Sequence, residues 1–131
     1  MLQNIKPINT DLYLDQGDTY YKELTFSDGI MFLNLVGYVF DFELKEYVGT
    51  KALAVNFLAL PLVPSSGGVA LSAAILETAL LNRPRYVYRL LAKLPNPVQP
   101  PIAIPPDVQL PPNPPLETVV LMFGQIHVQN F

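Results

Sequence analysis

The sequence predicts an all-β protein, an antiparallel two-sheet sandwich of about seven strands with one short helix and one long proline-rich loop. Three observations carry this. Apolar and polar residues alternate with a period of two in several segments. Turn-forming clusters interrupt the alternation about every ten residues. Ten of the fourteen prolines crowd into a single stretch, Pro95 to Pro115.

The first strand expected is Tyr20 to Phe26, with Tyr20, Leu24 and Phe26 facing inward, closed by the turn signal Ser27-Asp28-Gly29. The clearest alternation is Tyr38 to Lys45: Tyr38, Phe40, Phe42 and Leu44 share one face, while Asp41, Glu43 and Lys45 occupy the other. Val48-Gly49-Thr50 turns the chain into a third strand, Ala52 to Phe57, with Leu53, Val55 and Phe57 inward. Ser65-Ser66-Gly67-Gly68 then breaks the chain before Val69 to Leu71. Ser72 is placed to cap a helix over Ala73 to Leu81, where Ile75, Ala79 and Leu80 supply an apolar side, and Asn82-Arg83-Pro84 ends it. A strand follows over Arg85 to Ala92, with Tyr86, Tyr88 and Leu90 inward. The last strands run from Glu117 to Phe123 and from Gln125 to Gln129, and Gly124 between them is expected to mark a bulge.

The proline-rich stretch joins the last two long strands as an overgrown hairpin loop. Each proline removes a backbone donor and restricts φ, so neither a central strand nor a helix interior accommodates this density, and extended polyproline II is expected. Asp107 is its one charged residue. Val98, Ile102, Ile104, Val108 and Leu110 gain free energy only when covered. Burying five such side chains, at about 25 cal/mol per Å² of apolar area, is worth on the order of 5–10 kcal/mol before association costs. Docking on another protein is therefore favoured over a free spacer. The partner-facing residues expected are Pro97, Val98, Pro100, Pro101, Ile102, Ile104, Pro105, Pro106, Val108, Leu110, Pro111 and Pro112. A ligand for a polyproline-recognition domain is a weaker reading, because Lys93 is the only cation near Pro97-Val98-Gln99-Pro100.

The remaining chain is one domain, residues 10–131 interrupted at 95–115, preceded by an extended tail over 1–9. Charged residues are 15% and the net charge is −3, so nucleic acid is not an expected partner. With no cysteine, disulfides and thiol chemistry are excluded, in keeping with assembly in a cytoplasm. The start, Met1 to Pro7, lacks the pattern of a secretion signal, and no apolar run approaches the length of a membrane span.

Few residues suggest chemistry. Asp11, Asp15 and Asp18 with Gly17 offer oxygen ligands for Ca²⁺, but their spacing fits no calcium loop, and a turn before a strand explains them better. His127 is the only histidine and is expected to face away from the core, without a second nitrogen or sulfur ligand. Tyr20, Tyr21, Tyr38, Tyr47, Tyr86 and Tyr88 would suit a sugar-binding platform, yet four of the six fall on inward rows. Arg83-Pro84-Arg85 reads as a turn with solvated charges. No cofactor, metal or catalytic residue is expected, and the protein is expected not to be an enzyme.

The order of these signals carries a resemblance: Leu14-Asp15-Gln16-Gly17-Asp18, Leu24 to Gly29, Asn34-Leu35-Val36-Gly37, Val39 to Leu44, Gly67 to Ser72, Arg85 to Tyr88, and the closing Gly124, Ile126 and Val128. It resembles small tailed-bacteriophage virion proteins with an immunoglobulin-like β-sandwich, akin to the N-terminal domain of baseplate upper and appendage proteins. The likeness covers about Asp11 to Gln129 apart from the proline-rich insertion. It implies a structural virion component of the baseplate, tail-fibre attachment or neck, present as a homo-oligomer or as repeated copies in a symmetric assembly. Its partners would be other virion proteins, reached through the proline-rich arm and the N-terminal tail. A capsid cement or decoration protein, or a receptor- or carbohydrate-binding module, is the alternative.

Overall fold

In the computed structural model, residues 5–47, 51, 53, 55–95 and 117–129 are described. Among them, eight strands form two sheets: β1 (Ile8–Asn9), β2 (Leu12–Asp15), β3 (Tyr20–Thr25), β4 (Val39–Lys45), β5 (Leu58–Pro61), β6 (Gly68–Ala73), β7 (Arg85–Leu94) and β8 (Glu117–Gln129). The larger sheet has the order β1-β8-β7-β4, with β2 also on β8, and the smaller has the order β3-β6-β5. The fold is all-β and sandwich-like.

Alternation explains which side of each strand is covered. From the larger sheet, Phe42, Leu44, Tyr86, Tyr88, Leu90, Ala92, Ile126 and Val128 enter the core, and Val69, Leu71 and Ala73 enter it from the smaller one. Four aromatic rings cross the core in a row. Phe42 stacks on Tyr88 at 5.3 Å and on Phe57 at 5.1 Å, and Phe57 meets Tyr20 at 6.2 Å. The row thus links β7 and β4 of one sheet to β3 of the other, adding ring contacts of about 0.5–1.5 kcal/mol each to the burial itself. The inward rows expected for Tyr38, Phe42 and Leu44 and for Tyr86, Tyr88 and Leu90 hold; Phe40 is half-buried against the same core.

The larger sheet is mixed rather than wholly antiparallel. β7 pairs with both β4 and β8 in antiparallel register, while β1 and β2 run parallel to β8 along its other edge. β8 has thirteen residues and β7 covers only one side of it, so the N-terminal chain satisfies donors and acceptors that would otherwise form a bare edge. Ile8 and Asn9, expected in an extended tail reaching other subunits, pair with β8 of their own chain.

The phase of β8 resets at Leu121, three residues before the expected place. Leu90 opposes Met122 and Leu91 opposes Val120, which leaves Leu121 as the extra residue, and both Leu121 and Met122 are buried. Gly124 serves another purpose. The link between β1 and β2 passes directly over it, with the Thr10 N–H donating to the Phe123 carbonyl at 3.0 Å and the Tyr88 hydroxyl donating to the Thr10 carbonyl at 2.5 Å. A Cβ on Gly124 would run into the Thr10 carbonyl oxygen.

Two other expectations are corrected. The helix over Ala73 to Leu81 shrinks to one turn, α1 (Ile75–Thr78), and Ser72 lies inside β6. Ile75, Ala79 and Leu80 face solvent. The turn is held instead by Thr78, fully buried, whose hydroxyl donates to the Asp18 carbonyl at 2.7 Å, and by buried Leu81. So short a segment has too few internal hydrogen bonds to persist as a helix without a packed apolar side. The strand expected over Ala52 to Phe57 begins only at Leu58; residues 52 and 54 lie outside the described set, as does the turn at Val48 to Thr50. Leu53 and Val55 are half-buried and Phe57 is buried, so the inward residues are right while the ladder is displaced. Phe57 leaves strand geometry to join the aromatic row, with its N–H donating to the Val55 carbonyl at 3.2 Å.

Gly124→Ala is expected to cost about 2 kcal/mol or more, because either the β1–β2 crossing or β8 must move. A urea midpoint equal to that of the unchanged protein would show that the crossing does not constrain this position.

Candidate functional site

Three chain reversals gather at one end of the sandwich, and each is placed by the ladders beneath it. β3 leads into residues 26–38, β5 into residues 62–67, and β7 into the segment that returns as β8. The first two touch: the Phe26 N–H donates to the Gly67 carbonyl at 2.9 Å, and the Leu35 N–H donates to the Pro64 carbonyl at 2.7 Å. Leu33 and Leu35 are buried and tie the first loop to the core. Asp28 folds its tip as expected from Ser27-Asp28-Gly29, its Oδ1 accepting from the Ile30 N–H at 2.8 Å and the Met31 N–H at 2.9 Å. These bonds hold the Asp28 carboxyl below the ordinary carboxylate value of 3.8.

The tip this turn presents is apolar. Ile30 is 91% exposed, and Met31, Phe32, Val36, Leu62 and Val63 are exposed on the same two loops. Asp28 is the only charged residue in 26–38, and 62–67 has none. Sequence reading passed over this patch, although four consecutive apolar residues, Ile30 to Leu33, directly after a turn signal were there to be seen.

The proline-rich insertion is rooted at the same end. Leu94 and Glu117 are direct partners at the head of the β7–β8 ladder. The Tyr38 hydroxyl donates to Glu117 Oε1 at 2.6 Å, and both residues are buried. A side-chain carbon on Gly37 would meet Leu94 at 3.8 Å. The chain therefore leaves and re-enters at one braced point. The residues from Pro97 to Pro112 named above as partner-facing lie outside the described residues.

The other candidates separate. Asp11 and His127 come together: His127 Nε2 lies 3.0 Å from Asp11 Oδ2, and the ring stacks on Tyr13 at 4.8 Å. The carboxylate can only accept, so Nε2 carries the proton. Asp11 Oδ1 also accepts from the Gln125 N–H at 3.2 Å. The His127 hydrogen bond first, and the Gln125 N–H second, hold the Asp11 carboxyl below 3.8. This contact clips the β1–β2 link to β8. Asp15 lies in β2 and Asp18 in the following turn, and no cluster of three metal-ligating side chains exists among the described residues. Of the tyrosines, Tyr38, Tyr86 and Tyr88 are buried and Tyr20 half-buried, while Tyr21 and Tyr47 are exposed, so they form no common platform. The Tyr20 hydroxyl is buried with no hydrogen-bond partner among the described residues, and burial pushes its pKa up to about 12. Arg83 pairs with Glu46 at 3.5 Å.

The outer face of the larger sheet carries a shallow groove of about 700 Å³, floored by Val87, Val120 and Phe123 and rimmed by Glu43, Asn9 and Asp11. Cross-strand ion pairs, Arg89 with Glu43 at 2.7 Å and Lys93 with Asp41 at 3.2 Å, line this face. They are exposed, and such pairs are worth at most about 1 kcal/mol. Among the described residues no helix is long and apolar enough to cross a membrane. No protein-family model and no curated protein matches the sequence.

Tyr38→Phe is expected to lower stability by about 1–3 kcal/mol, since it removes a hydrogen bond to a buried carboxyl; chemical denaturation measures it. For Asp11, the folded-state value lies below the unfolded one, so its contribution is present above pH 3.8 and lost as pH falls through the lower folded value. The unfolding midpoints of Asp11→Asn and the unchanged protein should accordingly differ at pH 5 and converge towards pH 2. A gap that persists at the acid end would assign the effect to packing.

Proposed function

We propose that this chain is a non-enzymatic structural component of a tailed-phage virion, of the baseplate, tail-fibre attachment or neck, in which the sandwich is a rigid mount and the proline-rich segment docks on neighbouring subunits. The ordered run of turn and strand signals from Leu14 to Val128 supports the virion reading through its resemblance to baseplate upper and appendage proteins. The docking reading rests on one observation: the insertion begins and ends at a hydrogen-bonded strand pair, Leu94 with Glu117, held by the buried Tyr38 contact. A loop of twenty-two residues, 95–116, adds nothing to closing this hairpin, for which two to five residues suffice. Its aliphatic composition, with Asp107 as the one charge, suits coverage by another protein surface rather than solvation.

Restricted backbone is the physical advantage of proline here. A segment with few accessible conformations loses little entropy on docking, so more of its apolar burial survives as affinity. The mount must be stiff for the same reason, and the β7–β8 ladder and aromatic row supply that stiffness.

Replacing residues 96–114 by a short Gly/Ser turn is expected to leave cooperative unfolding intact and to abolish incorporation into particles. Normal incorporation of that variant would reduce the insertion to a spacer. Copy number in purified particles separates the placements: a few to a few dozen copies fit the tail, whereas hundreds would assign a capsid cement role.

A further inference from the structure

We infer that the apolar end of the sandwich, formed by Ile30, Met31, Phe32, Val36, Leu62 and Val63, is the receptor for residues 96–116 of a second copy of this chain, exchanged reciprocally in a two-fold dimer. The inference rests on the docking reading above and names the partner of the insertion.

Three observations carry it. The first is the patch itself, six exposed apolar residues on two loops that are hydrogen-bonded to each other and anchored by buried Leu33 and Leu35, so that it is presented on a fixed base. The second is chemical likeness. Residues 26–38 carry only Asp28 and residues 62–67 no charge, while 96–116 carry only Asp107 and contribute Val98, Ile102, Ile104, Val108, Leu110 and Leu116. Each surface carries a single carboxylate, and that of Asp28 is already held by the Ile30 and Met31 N–H groups, so the contact desolvates few charges.

The third is position. Val36 is next to Gly37, which abuts Leu94, so the patch adjoins the root of the insertion. Doubled back as a loop in extended polyproline geometry, at about 3.1 Å per residue, a segment of this length would span up to roughly 30 Å. Pro95 and Pro97 on the outgoing limb, and Pro111, Pro112, Pro114 and Pro115 on the returning one, resist the sharp reversal needed to lie on a patch beside their own root. A copy facing the first across a two-fold axis presents its patch to the root of the insertion. Because root and patch share one end, the exchange satisfies both copies at once and closes. Had they lain at opposite ends, the same contact would have propagated as a filament.

The mass of the full chain in solution, by size exclusion with light scattering at micromolar concentration, is the test. The unchanged protein is expected to be a dimer. Ile30→Ser combined with Phe32→Ser, and separately the Gly/Ser replacement of 96–114, are each expected to be folded monomers. Mixed together, the patch variant and the insertion variant should associate one-to-one, since one retains an intact insertion and the other an intact patch. A monomeric unchanged protein, a dimer that survives in either variant, or an open-ended polymer would overturn the inference. Incorporation into particles is read separately: a monomer that still needs its insertion to enter particles sinks this inference and leaves the docking reading standing.

Discussion

Ten registered pairs between β7 and β8 are the constraint on which the rest of this molecule depends. That ladder lies in the middle of the larger sheet, places Tyr86, Tyr88 and Leu90 opposite Ile126, Gly124 and Met122, and leaves the other edge of β8 open for the N-terminal strands. It also determines where the proline-rich insertion stands. Two strands in register to their last pair bring Leu94 and Glu117 together, whatever the length of chain between them. Long insertions at such a point cost little, because loop-closure entropy grows only with the logarithm of length.

The core works as a set of linked layers rather than as a uniform apolar filling. The aromatic row from Tyr88 through Phe42 and Phe57 to Tyr20 crosses between sheets and sets their separation at the centre. Tyr88 does this with one end and, with the other, holds the Thr10 carbonyl over Gly124. One residue thereby couples sheet packing to the docking of the N-terminal chain. The Asp11 contacts with His127 and Gln125 reinforce the same junction from the surface.

Polarity is divided between the faces and the ends. Ion pairs and the Asp11–His127 contact occupy the outer face of the larger sheet, while the end bearing residues 26–38 and 62–67 is almost uncharged. A surface with Ile30 91% exposed and its neighbours apolar is the kind that marks a contact site. It lies where the insertion is rooted, and the proposals above follow from that coincidence.

Strand identity was legible wherever one face of a strand meets water and the other the core, as in Tyr38 to Lys45 and Arg85 to Ala92, because a period of two then records burial directly. Turn chemistry at Ser27-Asp28-Gly29 was legible for an equally local reason, the Asp28 carboxylate bonding to backbone two and three residues on. The sequence also revealed the insertion itself, since proline acts on its own φ and donor without regard to neighbours. What only the tertiary structure decided were the non-local matters: that β1 and β2 join β8 in parallel, that the β8 reset lies at Leu121 while Gly124 makes room for Thr10, that Phe57 leaves its strand for the aromatic row, and that Thr78 rather than Ile75 anchors α1. In each, the deciding contact comes from residues tens of positions away, and no periodicity within the segment can report a partner it does not contain.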